Sequence, residues 1–225
     1  MAKFIQEEDL KISCPARITI VGASGSGKSE ITRRLIENEY MFKIPFESVL
    51  YFYNEENSTI KKIRQNPKVE LKQGFDYDMI LEKPKTGGHF LVVIDDHMTA
   101  SIYHHLAEIF AVKSRALNFS VILITQNLFT KGGNAKNYNR DILINSTHSC
   151  LFANRRDQLG VMSIARASFP TRYKFFMHSY HSACQMDKSG HGYLFLSLSP
   201  ESKTEIELRT KIFYKEELTI AFWPR

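Results

Sequence analysis

A glycine-rich run near the start of the chain constrains the fold more than any other feature. Residues 22–29 read Gly-Ala-Ser-Gly-Ser-Gly-Lys-Ser and match the phosphate-binding pattern G-x-x-x-x-G-K-[ST] at every required position. An apolar stretch at 18–21 precedes the run and predicts a buried strand, and residues 30–38 carry apolar side chains at helical spacing. A flexible Gly/Ser linker is the alternative, but a linker has no reason to lie between a buried strand and an amphipathic helix.

Each residue type in the run suits a polyphosphate ligand. Glycine lets backbone N–H groups turn inward around an anion without a clash at Cβ, and the following helix presents its positive dipole end to the same anion. Lys28 is expected to reach the β- and γ-phosphates, and the Ser29 hydroxyl to hold Mg²⁺. The sequence therefore predicts a site for ATP and Mg²⁺ built from Gly22, Ala23, Ser24, Gly25, Ser26, Gly27, Lys28 and Ser29.

Two carboxylates end a second strongly apolar stretch. The run 90–96 reads Phe-Leu-Val-Val-Ile-Asp-Asp, which is typical of a central parallel strand with its carboxyl end in a site. Asp95 is predicted to join Ser29 in binding Mg²⁺, directly or through water. Asp96 is predicted to orient or deprotonate the water that attacks the γ-phosphate. The alternative for Asp96 is a residue that merely begins a turn.

A strand-end amide and a cation complete the predicted machinery. Gln126 follows the apolar strand 119–125 and is expected to contact the γ-phosphate or the attacking water, unless it is only a polar strand end. Phosphoryl transfer of this kind also uses a cationic side chain against the developing charge, which contributes about 10³–10⁵ in rate. Arg140, Arg155 and Arg156 are the candidates, and each also fits as a DNA contact or a surface charge.

Strands and helices alternate along the chain, which predicts an α/β fold: a P-loop NTPase with a mainly parallel central sheet flanked by helices. A C-terminal β-hairpin is predicted from 192–198 and 206–213, a mobile basic loop from 130–140, and a further strand region from 141–152. The length of 225 residues suits a single P-loop ATPase domain over 1–225.

Composition adds weaker constraints on partners and location. The net charge of +6 fits either a nucleic-acid surface or a solvated basic face, because the basic residues are spread along the chain. Three scattered cysteines, Cys14, Cys150 and Cys184, predict reduced thiols in a cytosolic or nuclear setting. No apolar run approaches the ~20 residues that cross a bilayer, so no membrane span is predicted.

A succession of motifs resembles a known family. In chain order they are GASGSGKS (22–29), LVVIDDHM (91–98), ILITQNLF (122–129), Arg140 followed by Asn-Ser-Thr-His (145–148), FANRRDQ (152–158), GYLFLSLSP (192–200) and LRTKIF (208–213). This order resembles the FtsK/HerA-like genome-packaging ATPases of double-stranded DNA viruses, in particular the poxvirus-type branch, the Maverick/Polinton-like elements and the adintoviruses.

The resemblance implies a motor that hydrolyses ATP and moves double-stranded DNA into a preformed capsid. It implies a homo-oligomeric ring, commonly a pentamer or hexamer, and a capsid vertex protein as a further partner. It also implies work in the host cytoplasm or nucleus at the site of virion assembly, or in the virion. Carried onto this sequence, 22–29 bind the phosphates, Asp95 and Asp96 form the acidic pair, and Gln126 senses the γ-phosphate. Arg140 corresponds to the arginine finger in trans, the cationic side chain that one subunit places against the nucleotide of its neighbour.

Three other functions remain compatible with the motifs. One is a cellular-type FtsK/HerA DNA translocase, and another is a small-molecule or nucleoside kinase that shares the phosphate loop. Kinases of that sort usually need an arginine-bearing lid and an acceptor pocket, whereas this chain has paired aspartates and a strand-end glutamine. The third is a nucleotide-dependent switch or assembly subunit with negligible turnover.

Overall fold

One sheet runs through the part of the chain that the structure, a computed structural model, describes: residues 5–83, 88–96, 102–127, 135–154 and 157–224. Its strands are β1 (Arg17–Val21), β2 (Ser48–Tyr53), β3 (Val69–Gln73), β4 (Phe90–Asp95), β5 (Phe119–Thr125), β6 (His148–Phe152), β7 (Tyr193–Ser197), β8 (Leu208–Thr210) and β9 (Ile220–Phe222). They lie side by side in the order β3-β2-β4-β5-β1-β6-β7-β8-β9.

The sheet is parallel from β3 to β6 and antiparallel from β6 to β9. The predicted α/β class with a mainly parallel sheet is therefore confirmed, and so is an antiparallel C-terminal pair, β7 with β8. Two strands extend the prediction. β9 continues the antiparallel part, and β3 forms the other edge from a half-exposed stretch in which Val69 and Leu71 alternate with charged residues.

Helices cover both faces of the sheet. They are α1 (Glu7–Leu10), α2 (Lys28–Glu37), α3 (Ser58–Ile63), α4 (Tyr77–Glu82), α5 (Tyr103–Glu108), α6 (Ser114–Ala116), α7 (Ala135–Asn145), α8 (Gln158–Ser168) and α9 (Tyr173–Gln185). A π-helical turn, Ile109–Lys113, joins α5 to α6. α2 packs on one face with α3, whereas α5 and α7 to α9 pack on the other. Within the described ranges, no helix combines the length and the apolar character that crossing a membrane requires.

The alternation of buried side chains along the central strands explains why both faces are covered. Ile18 and Ile20 of β1 belong to the apolar cluster under α2, whereas Val21 belongs to the cluster under α8 and α9. Successive residues of a strand point to opposite faces, so a strand with helices on both sides is apolar at nearly every position. All seven residues of β5 are buried, and all but Ser120 and Thr125 are apolar.

α7 corrects two predictions. Residues 135–140, expected to belong to a basic loop, and 141–145, expected to begin a strand, are helical, and 130–134 lie outside the described residues. This segment forms a helix because Tyr138 and Ile142 lie four residues apart and therefore on one helical face. That face packs into the apolar cluster that α5 also contacts. The short apolar run Ile-Leu-Ile at 142–144 could not distinguish a strand from a helix by itself.

Arg209 of β8 is a buried charge in an apolar setting. It is 1% exposed, and its guanidinium carbon lies 5.2 Å from the centre of the Phe195 ring. None of its three side-chain nitrogens has a hydrogen-bond partner among the residues that the structure describes. Burial lowers the pKa of Arg209 to about 10, so the group remains charged at neutral pH.

Candidate active site

The loop between β1 and α2 has the backbone geometry that its glycines allow. Gly25 has a φ of 75° and Gly27 a φ of 105°, in the left-handed region that favours glycine. Gly22 is needed for space, since a Cβ there would lie 2.6 Å from Cβ of Phe152. α2 begins at Lys28 without a side-chain cap, so the N–H groups of its first turn face the loop unpaired by a capping side chain.

The Lys28 side chain folds back onto the phosphate loop. Its Nζ donates to the carbonyl oxygens of Gly22 and Ala23, both at 2.8 Å. Burial lowers the pKa of Lys28, against the attraction of Asp96 and Asp95, which raises it. The ammonium group is therefore held inside the concavity of the loop, where a phosphate would replace the two carbonyl oxygens as its partner.

Ser26 supplies a further donor that suits an anion. Its hydroxyl oxygen is buried and has no hydrogen-bond partner in the described part of the chain. An unpaired buried hydroxyl costs free energy, which a ligand with acceptor oxygens would recover. Together with the open helix end and the inward lysine, this unfilled donor fits a polyphosphate.

The order of the strands gathers the predicted site residues. β5 lies between β1 and β4, so Gln126 at the end of β5 stands between the phosphate loop and the acidic pair at the end of β4. Backbone hydrogen bonds fasten these three ends together. The Gly22 N–H donates to the Thr125 carbonyl at 3.3 Å, and the Asp96 N–H donates to the Ile124 carbonyl at 3.0 Å.

Asp95 lies beside the start of α2. Its Oδ2 accepts a hydrogen bond from the hydroxyl of the buried Tyr51 at 2.8 Å and lies 3.5 Å from Oγ of Ser29. Burial raises the pKa of Asp95, and the hydrogen bond from Tyr51 opposes that rise. A hydroxyl and a carboxylate at this spacing are hard oxygen ligands of the kind that Mg²⁺ prefers. A cation there would also offset the burial of the Asp95 charge.

Asp96 is exposed and held in an uncommon conformation. Its φ is 56°, a left-handed value that costs an L-residue about 1–3 kcal/mol and persists only where the surrounding contacts offset that cost. Nδ2 of Asn54 donates to the Asp96 carbonyl at 2.7 Å, and Nε2 of Gln126 donates to Oδ2 of Asp96 at 3.1 Å. Gln73 of β3 in turn donates to the Asn54 carbonyl at 3.1 Å. These contacts orient a carboxylate that water can reach.

Two residues of this arrangement, Tyr51 and Asn54, were not predicted as site residues. Asn54 follows β2 at the edge of the sheet where Asp96 and Gln126 also lie, and its place after a strand was a signal that could have identified it. Tyr51 carried no such signal, since it reads as one more large residue of a buried strand. Only the pairing of β2 with β4 reveals its contact with Asp95.

Arg140 is not part of this arrangement within its own chain. It is exposed, midway along α7, and among the described residues no hydrogen bond or ion pair joins it to the predicted site. Asn145 and Ser146, which the resemblance places after it, bond back to carbonyls of α7 and end that helix. Arg155 and Arg156 lie outside the described residues. The role of Arg140 stays a prediction.

Comparison with known proteins finds similarity among solved structures. No protein-family model and no curated protein sequence matches the chain. The chain is similar to the genome-packaging NTPase B204 of Sulfolobus turreted icosahedral virus 2 in complex with ATPγS, at 13% identity, a TM-score of 0.47, and coverage of 94% of this chain and 98% of that one.

Two further solved structures are similar to part of the chain. ATPases 2 and 3 of EssC from Geobacillus thermodenitrificans are 13% identical, with a TM-score of 0.46 over 67% of this chain and 34% of that one. The ATPase DotB of Legionella pneumophila is 16% identical, with a TM-score of 0.36 over 60% of this chain and 40% of that one. The chain therefore spans about a third of the EssC structure and two fifths of DotB.

Proposed function

We propose that the chain is an ATP-hydrolysing motor that moves double-stranded viral DNA into a preformed capsid as one subunit of a homo-oligomeric ring. The observation that carries the hydrolytic part is the meeting of Lys28, Ser29, Asp95, Asp96 and Gln126 at one edge of the sheet. A loop that only bound phosphate would need Lys28 and Ser29, and it would not need an oriented, water-accessible carboxylate beside an amide.

In this mechanism the chain's own residues bind the nucleotide and orient water. Lys28 exchanges its two carbonyl partners for oxygens of the β- and γ-phosphates, and Ser29 and Asp95 would hold Mg²⁺. Bound Mg²⁺ neutralises phosphate charge that develops during transfer. Asp96 accepts a hydrogen bond or proton from the attacking water, and Gln126 holds that carboxylate and the water in place. When the γ-phosphate leaves, Lys28 loses the oxygens of that phosphate as hydrogen-bond acceptors.

In a ring, Arg140 of one subunit would act on the nucleotide of its neighbour. Arg140 is exposed and, among the described residues, makes no hydrogen bond or ion pair with its own phosphate loop, which is compatible with a finger that acts on the nucleotide of a neighbouring subunit. The motif order along the chain and the net charge of +6 support DNA as the cargo. A motor that must move any sequence should hold backbone phosphates, so we expect salt-sensitive DNA binding with little sequence preference.

The deciding experiment measures the ATPase rate per subunit against protein concentration, with and without duplex DNA. We expect the rate to rise with concentration as subunits associate, and to rise further with DNA. Arg140→Ala should bind ATP normally but lose the dependence on concentration, whereas exposed Arg166→Ala should behave as the parent. A rate that is flat with concentration contradicts the trans finger. Turnover that requires a small acceptor would identify a kinase instead.

Tyr51→Phe tests the assignment of Asp95 to Mg²⁺. Removing the hydroxyl leaves a carboxylate that is less well oriented and has a higher pKa. We expect the Mg²⁺ concentration for half-maximal ATPase rate to rise about 10- to 100-fold, the range typical when a supporting hydrogen bond to a metal ligand is lost. Tyr77→Phe is the matched control, because the Tyr77 hydroxyl also donates to a carboxylate, Glu108, at 2.7 Å but away from the site. Equal Mg²⁺ dependence in both variants would contradict the assignment.

A further inference from the structure

Two buried hydrogen-bond donors without partners lie on neighbouring strands of the antiparallel part of the sheet. They are the guanidinium of Arg209 on β8 and the hydroxyl of Ser197 on β7, and neither has a partner in the described part of the chain. Phe195 pairs with Arg209 in register, and Ser197 follows Phe195 by two residues. Both side chains therefore lie on the sheet face under α2, as diagonal neighbours at a spacing that a long side chain can bridge.

The surroundings of Arg209 do not compensate its charge. Phe195 contacts the guanidinium on one side and the His148 ring on the other, with 5.6 Å between the centres of the two rings. Burial, together with the charges of Arg209 and Arg17, lowers the pKa of His148 to about 3, so this ring is neutral at pH 7. The ionisable side chain that acts on Arg209 among the described residues is the Tyr193 phenol, whose own pKa is raised by burial and which is therefore neutral as well.

A small anion is the ligand that meets these conditions. The guanidinium N–H groups can only donate, and the Ser197 hydroxyl can donate as well, so the ligand must accept hydrogen bonds. A water molecule can accept them, but it leaves the buried charge uncompensated, which is the more costly defect. Arg209 is 1% exposed and Ser197 is 3% exposed, so the pair is closed to any ligand that must remain partly in solvent.

We propose that Arg209 and Ser197 form an internal site for one small monovalent anion of the chloride type. The anion accepts hydrogen bonds from the guanidinium and the hydroxyl, and it cancels the single positive charge of Arg209. Its role is to stabilise the packing of β8 against β7, and it takes no part in phosphoryl transfer. The site is independent of the proposed function, because neither residue belongs to the phosphate loop or to the acidic pair.

Thermal unfolding in potassium chloride and in potassium gluconate tests the site. One salt replaces the other at constant ionic strength, so general screening is equal in both, and gluconate is too large for a closed interior. The parent is compared with two variants. Arg209→Met removes the charge, and Ser197→Ala removes one donor without breaking a hydrogen bond within the described ranges.

Arg34→Met is the matched control for Arg209→Met. Arg34 also lies over an aromatic ring, with 3.7 Å between its Cζ and the centre of Phe213, but its charge is paired with Glu216. A paired arginine needs no anion from solution. Arg34→Met should therefore show the same difference between the two salts as the parent, whatever its own stability.

We expect the unfolding midpoint of the parent to rise by about 5–10 °C when chloride reaches a hundred times its dissociation constant. Arg209→Met should unfold at the same temperature in both salts, because it has no charge for the anion to cancel. In gluconate it should be at least as stable as the parent, since an apolar side chain avoids the cost of a buried charge. Ser197→Ala should need at least about tenfold more chloride for the same shift.

Bromide, which scatters X-rays anomalously, locates the anion directly. Crystals of the parent soaked in bromide should show an anomalous peak beside the Arg209 guanidinium and Oγ of Ser197.

Three results would overturn the proposal. Equal midpoints of the parent in both salts would mean that water, or a part of the chain outside the described residues, satisfies Arg209. An equal chloride shift in the parent and in Arg209→Met would mean that the anion binds elsewhere, for example at the phosphate loop. If Arg209→Met does not fold, Ser197→Ala decides, and an unchanged chloride dependence of that variant contradicts the site.

Discussion

Lys28→Ala is expected to lower ATP affinity by about 10- to 100-fold and to reduce the ATPase rate below detection. Hydrogen bonds to charged groups contribute about 1.5–3 kcal/mol each, and 1.4 kcal/mol corresponds to a factor of ten. In the ligand-free protein the same side chain bonds to the carbonyls of Gly22 and Ala23. The variant should therefore also lose some thermal stability, because both carbonyls lose this charged donor, although Ala23 still accepts from the Ser26 N–H at 3.2 Å.

Calorimetry with ATPγS measures the loss of affinity, and a phosphate-release assay measures the rate. Lys61→Ala is the control, since Lys61 is an exposed lysine of α3 outside the loop. The control should keep both the affinity and the rate of the parent. Retention of more than half of the parent's ATP affinity by Lys28→Ala would contradict the assignment of the phosphates to this loop.

Asp96→Asn is expected to keep ATP affinity within about threefold while the turnover number falls by about 10²–10⁴, the range that general acid–base groups contribute. The amide cannot accept a proton from water, although it can still be held in place by Gln126. Asparagine is also among the residues that tolerate a left-handed φ, so the backbone at 56° should remain as it is.

Single-turnover measurements separate chemistry from product release for this variant. Asp78→Asn, a similar change at an exposed position of α4, is the control and should leave the rate unchanged. A nucleotide-dependent switch without real turnover predicts the same low basal rate for Asp96→Asn and the parent. A drop in rate with ATP binding intact is the result that supports a hydrolytic site.

The features that the sequence predicted best depend on local chemistry. The phosphate loop requires glycines at two left-handed positions and one crowded position, and these requirements appear as a fixed spacing in the chain. The acidic pair and Gln126 were predictable because carboxyl ends of parallel strands meet at one edge. Parallel-strand geometry predicts that the carboxyl ends of β4 and β5 lie close together. The hydrogen bond from Gln126 to Asp96 is visible only in the structure.

The features that the sequence did not predict depend on packing or on residues far apart in the chain. β3 is short and half exposed, so its alternation was too weak to stand out. α7 was mistaken for a loop and a strand, because a three-residue apolar run fits either structure. Tyr51 gains its role only because β2 pairs with β4.

The buried charge of Arg209 favours local unfolding at β8. An unpaired charge in an apolar interior costs several kcal/mol, and local unfolding that returns it to water recovers that cost. β8 and β9 each have three residues, so few ladder bonds resist their separation from the sheet, whereas β1 is held on both sides by longer strands. Amide hydrogens of β8 should therefore exchange with solvent sooner than those of β1. Such opening would leave undisturbed the parallel strands that hold the carboxylates.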